Sequence, residues 1–140
     1  MNNDMNTRTQ NGCLLRFRGM DWHKGLSPED MQQIATQWMA WFERLSAAGK
    51  AIGGKPLERE GRVVVGGGKR QTVSDGPFAE TKEAVAGFFL LKVDTLEEAV
   101  EIAKECPGLP YGAVVEVRPV AEECTVRSEA RRELETLQTA

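Results

Sequence analysis

An aspartate heads the run Asp75-Gly76-Pro77-Phe78-Ala79-Glu80-Thr81-Lys82-Glu83. Gly76-Pro77 must break any strand there. A carboxylate fixed on such a turn has two uses. It can accept hydrogen bonds from the backbone N–H groups just downstream and so shape the bend. It can also hold a ligand, with the Thr81 hydroxyl as donor and Glu80 and Lys82 as charged neighbours. The chain has one histidine, His23, next to Trp22 in a stretch without periodicity. A lone imidazole is either a general base or a surface group. No motif supplies it with an Asp, Ser or Cys partner. Asp75 and His23 are the catalytic candidates; Asp75, Thr81 and Lys82 are ligand-binding candidates.

Arg16 is a third kind of candidate. It lies in an alternating apolar segment, on the same face as Glu116 near the other end of the chain. The plain reading is a cross-strand charge pair. The functional reading is a guanidinium that clamps an anionic ligand. Metal and nucleotide chemistry are not expected. One His and three scattered cysteines, Cys13, Cys106 and Cys124, lack the short spacings of zinc sites. Gly66 to Gly68 before Lys69 does not have P-loop spacing, and no Gly-x-Gly-x-x-Gly occurs. The expectation is no metal and no cofactor.

The elements that must position these residues follow from periodicity. Cys13 to Arg18 alternates as a strand, with Leu15 and Phe17 on one face and Leu14, Arg16 and Arg18 on the other. Ser27-Pro28 with Asp30 opens a helix. Its apolar face is Met31, Ile34, Ala35, Trp38, Trp41, Phe42 and Leu45, and Gly49 stops it. A strand follows around Lys50 to Pro56. Arg62–Val65 and Arg70–Ser74 are the arms of a hairpin turned by Gly66 to Gly68. Val85–Val93 is a strand. Asp94 or Thr95, with Glu98, caps a helix that Pro107-Gly108 ends. Ala113–Val120 is the last strand. Glu122 to Gln138 is a charged helical tail with a thin stripe of Val126, Ala130, Leu134 and Leu137.

Apart from the hairpin, the order is β-α-β-β-α-β. This is the split βαβ pattern of an α+β, ferredoxin-like fold with an antiparallel sheet and both helices on one face. Residues 1–11 are expected to be disordered, 12–120 to form the domain, and 121–140 to form the tail. At 140 residues the chain suits a single domain that needs no disulfide or metal. A net charge of −3 gives no general attraction to nucleic acid. The longest apolar stretch, Ala84 to Leu91, is too short to span a membrane. No signal-peptide pattern opens the sequence, and the odd cysteine count fits a reducing cytoplasm. The sheet's outer face collects Leu14, Phe88, Leu90 and Val114 with Arg16, Lys92, Glu116 and Arg118. An apolar face of that kind is most economically covered by a second copy, so a homodimer is expected.

The run Asp75 to Glu83 resembles the signature of the DGPF group within the YCII-related family. The helix from Ser27 to Gly49, Gly53-Gly54, Ala86-Gly87-Phe88, Tyr111-Gly112 and Glu116-Val117-Arg118-Pro119 agree in order and spacing. The resemblance covers roughly residues 12–120. It implies a dimeric α+β barrel of two ferredoxin-like sheets packed face to face. It also implies a cleft between helix and sheet in which relatives use a His–Asp pair, and some relatives handle chlorinated aromatic compounds. The matching positions here are Trp38 and Val114, so the pair is missing and that acid–base chemistry does not carry over. Trp38 becomes a ligand-binding candidate instead. DGPF-group proteins are often encoded beside extracytoplasmic-function sigma factors, which implies a regulatory setting. The expected function is a small-molecule-binding domain. The alternatives are an accessory regulator linked to such a sigma factor and a lyase or dehalogenase-like enzyme.

Overall fold

The structure is a computed structural model that describes residues 8–19, 21–76 and 85–139. The elements run β1 (Cys13–Arg18), α1 (Pro28–Ala47), β2 (Ala51–Pro56), β3 (Arg62–Val65), β4 (Thr72–Asp75), β5 (Val85–Leu91), α2 (Leu96–Ala103), β6 (Val114–Pro119) and α3 (Thr125–Thr139). Strands β2-β5-β1-β6, in that order, make one antiparallel sheet, and β3-β4 make a separate ribbon. Over the described residues the fold is α+β with a four-stranded antiparallel sheet and three α-helices, consistent with the ferredoxin-like pattern. Among the described residues no helix is long and apolar enough to cross a membrane.

Helix α1 starts where its cap allows. The Ser27 hydroxyl accepts the Asp30 N–H at 3.1 Å, and Pro28 takes the first turn, where its missing N–H costs nothing. It ends in a paired C-terminal closure: Lys50 N–H donates to Leu45 C=O at 2.8 Å and Gly49 N–H to Ser46 C=O at 3.0 Å. That closure needs a left-handed residue, and Gly49 has φ +75°. Helix α2 is capped by Thr95, whose hydroxyl accepts the Glu98 N–H at 3.1 Å. The Glu98 carboxylate accepts the Asp94 N–H in return.

The alternation expected in β1 is present: Cys13, Leu15 and Phe17 are buried and the residues between them are half-buried. On the inner face these join Phe89 and Leu91 of β5, Trp41 and Leu45 of α1, and Ala99, Ile102 and Ala103 of α2. Two expectations are corrected. Disorder over residues 1–11 does not hold for residues 8–11. Arg8 bridges to Thr95, and Thr9 is 5% exposed. The Thr9 N–H donates to Asp94 C=O at 2.9 Å and its hydroxyl to Val93 C=O at 2.7 Å. A short polar segment is held because every buried polar group finds a partner. The second hairpin arm is Thr72–Asp75 rather than Arg70–Ser74, because Gly68–Arg70 folds as a 3₁₀ turn.

Candidate functional site

Between α1 and the sheet lies a cleft of about 720 Å³. Helix α1 supplies one wall through Met31, Ala35, Trp38, Met39 and Phe42, residues three and four apart that share one side of the helix. Lys55 and Pro56 of β2, Ala86 to Phe89 of β5 and Phe17 of β1 form the floor, and the loop carrying Trp22 and His23 closes one end. Trp38 joins the aromatic packing to the cleft. Its ring meets Phe17 edge-on at 5.0 Å and Trp41 at 6.0 Å, and stacks on Trp22 at 6.0 Å with planes 21° apart. His23 meets Trp22 edge-on at 5.3 Å.

Two glycines set the spacing of these walls. A Cβ at Gly54 would lie 2.9 Å from Phe88 O and 3.0 Å from Phe42 Cε1, so only glycine lets α1 approach β2 there. A Cβ at Gly108 would lie 2.9 Å from Trp38 Cζ3 and 3.2 Å from Trp22 Cζ2. The turn after α2 is therefore the pad on which the stacked tryptophans rest. The Trp22 loop is held from the other side by Asp21, whose Oδ1 accepts from Arg59 Nη2 at 2.9 Å. That hydrogen bond holds the Asp21 carboxyl below its ordinary pKa, with Lys24 adding a weaker attraction.

The electrostatics are sparse. His23, Glu43 and Lys55 are the titratable side chains among the described lining residues, and none makes an ion pair with another described residue. No Ser, Thr, Cys or Tyr hydroxyl or thiol belongs to that lining. Cys106 lies in the adjoining core, and burial pushes its thiol up to about 11, so it is not a nucleophile at neutral pH. The arrangement can hold a flat apolar body. Proton transfer there would fall to His23 or Glu43.

The sequence-derived candidates are not gathered in one place. His23 and Trp38 line the cleft. Arg16 faces the opposite side of the sheet, where its Nη2 lies 2.7 Å from Oε1 of its register partner Glu116, so the cross-strand pair is the arrangement found. Asp75 ends β4 on the separate ribbon with its side chain 83% exposed, 3.2 Å from Arg62. β4 lies outside the main sheet, and strand alternation turns Arg16 away from α1, so neither Asp75 nor Arg16 lines the cleft beside α1. Thr81 and Lys82 lie outside the described residues. Val114 sits on the outer face, 49% exposed, and does not line the cleft with Trp38. Sequence reasoning missed Met39, Glu43, Lys55 and the two spacer glycines. One signal was available. The apolar set of α1 from Met31 to Phe42 is wider than a single buried stripe requires, and the surplus faces the cleft.

Comparison with known proteins adds the family. The model of the YCII-related domain matches residues 19–123. An uncharacterized protein of Rhizobium meliloti (strain 1021) is 46% identical over 50 residues, which take in 35% of this chain and 40% of that relative. The chain thus aligns with well under two thirds of the relative's length.

Proposed function

We propose that this chain, which belongs to the YCII-related domain family, binds a flat, largely apolar small molecule in the cleft between α1 and the sheet. The supporting observation is the aromatic wall. Trp38 is half-buried, packed on three other rings, and turned toward an open volume of about 720 Å³. That volume lies within the range of small-molecule sites, and such sites are mostly apolar with a few polar groups at fixed places. His23, Glu43 and Lys55 supply those groups. The reading extends to a homodimer that covers the outer sheet face, where Leu14, Phe88 and Leu90 are half-buried and Val114 is exposed.

The test uses 8-anilinonaphthalene-1-sulfonate as probe. Trp22 and Trp38 line the cleft, so saturable binding there should quench tryptophan emission as the dye emission rises. Ala35→Phe places a ring in the cleft from an exposed helix position and should abolish the transfer while the melting temperature stays near that of wild type. Unchanged dye binding in this variant would rule out the cleft as the site.

A second reading, an accessory regulator working through protein contacts beside an extracytoplasmic-function sigma factor, is favoured by one observation. Val126, Leu134 and Leu137 of α3 stand 59–72% exposed. The open cleft makes it the weaker of the two.

A further inference from the structure

Helix α3 has no buried residue. Val126, Leu134 and Leu137 are 70%, 59% and 72% exposed. At roughly 100° per residue, these three and Ala130 share an arc of about 80° on the helix. The charges beside that arc are sorted. Arg127 and Arg131 follow one side of it, and Glu129 and Glu133 follow the other. Arg131 already holds Glu123 at 2.7 Å. Arg127, Glu129 and Glu133 make no ion pair with another described residue. A helix of 15 residues is marginal in water without a partner for its apolar side.

The sorting of charge selects the partner. When two amphipathic helices pair in parallel, opposite flanks meet; when they pair antiparallel, like flanks meet. A basic flank and an acidic flank on the same helix are therefore self-complementary in the parallel arrangement and self-repelling in the antiparallel one. We propose that α3 is a docking element for the α3 of a second copy, in parallel about a two-fold axis, with Leu134 and Leu137 at the seam and Arg127 against the partner's acidic flank. Three or four apolar side chains are too few for the roughly 1,200 Å² of a stable interface. The paired helices therefore add to a larger contact between the copies. Helix α3 contributes no residue to the cleft.

Cys124 reports the geometry. It immediately precedes α3 and is exposed, while Cys13 and Cys106 are buried. The N–H groups of Arg127 and Val126 hold its thiol below the ordinary pKa, which favours the reactive thiolate. A parallel pair sets two Cys124 residues side by side. An antiparallel pair separates them by about the length of the helix, roughly 20 Å at 1.5 Å per residue. The full-length protein is treated with diamide, which takes the two thiol hydrogens and becomes a hydrazine as the disulfide forms. The expected product on a non-reducing gel is a dimer that peptide mapping assigns to Cys124–Cys124. Leu134→Glu should lower its yield at least fivefold with the melting temperature unchanged, since the site is exposed, and raised salt should lower it further. In a Gln138→Cys variant, a crosslink from Cys124 of one copy to the thiol introduced at the far end of α3 in the other would overturn the parallel arrangement. A dimer yield unaffected by Leu134→Glu, or no crosslink at all, would overturn the pairing.

Discussion

Gly108→Ala tests whether the cleft wall is held by the turn beneath it. The substitution brings two opposed effects of known size. Gly108 has φ −84° and ψ −12°, which alanine adopts freely. On backbone grounds alone the change should stabilise by about 0.4–1 kcal/mol, because the unfolded chain loses freedom. The new Cβ, however, would stand 2.9 Å from both Ala113 Cβ and Trp38 Cζ3 and 3.2 Å from Trp22 Cζ2. None of these is the free end of a flexible chain. Overpacking of that kind costs about 1–3 kcal/mol. The difference is a net loss of about 1 kcal/mol, which lowers the melting temperature by about 3–5 °C in a domain of this size. The relief available to the structure is to lift the Trp22–Trp38 stack off the turn. Tryptophan emission should therefore shift, and dye binding in the cleft should weaken. Urea unfolding, thermal melts and a fluorescence titration measure all three. A variant that is more stable than wild type, with unchanged emission and binding, would refute the account of the turn as a pad.

Three other outcomes are expected. Thr9→Val removes a buried hydroxyl that donates to Val93 C=O at 2.7 Å and should cost about 0.5–1.5 kcal/mol in urea unfolding; no loss would mean that residues 8–11 are not anchored. Lys50 Nζ lies 2.5 Å from Glu98 Oε2, and that hydrogen bond holds the Glu98 carboxyl below its ordinary value of 4.5. A lowered native pKa adds stability above pH 4.5 that is lost as pH falls through the native value, so Glu98→Gln should be less stable than wild type at pH 7, and the gap in denaturation midpoints should close as the pH is lowered below 4.5. Leu90→Glu puts a like charge from each subunit into the proposed sheet-to-sheet contact, and sedimentation at micromolar concentration should show wild type as a dimer and the variant as a monomer.

Local chemistry made much of the fold legible. Ser27-Pro28 and Thr95 with Glu98 announce helix starts because caps are satisfied within a few residues of sequence. The alternation of Cys13 to Arg18 assigns its faces without any knowledge of its neighbours. The cleft was less legible because it is assembled from β1, the Trp22 loop, α1, β2 and β5, which no single periodicity links. Gly54 and Gly108 look like ordinary loop or strand glycines until the rings above them are in place. Asp75 drew attention through the sharpness of its motif. A conspicuous run marks a demanding backbone as readily as a site, and here its carboxylate meets Arg62 across the hairpin. Residues 8–11 read as disordered because their composition is polar, and nothing local shows that Val93 and Asp94 offer them carbonyl acceptors.

The order of the main sheet leaves β2 and β6 as its two edges. An unpaired edge is an open invitation for another chain to add a strand, and proteins that avoid runaway fibrils usually spoil it. Both edges here are spoiled. β2 loses register between Ala51 and Gly53 and ends on Lys55-Pro56, and β6 ends on Arg118-Pro119. A proline presents no N–H, and a bulge turns the ladder out of line. Growth by strand addition is therefore hindered at both edges of the sheet. The surfaces left for association are faces and helices, and the pairing proposed for both, about a two-fold axis, would close at a finite size.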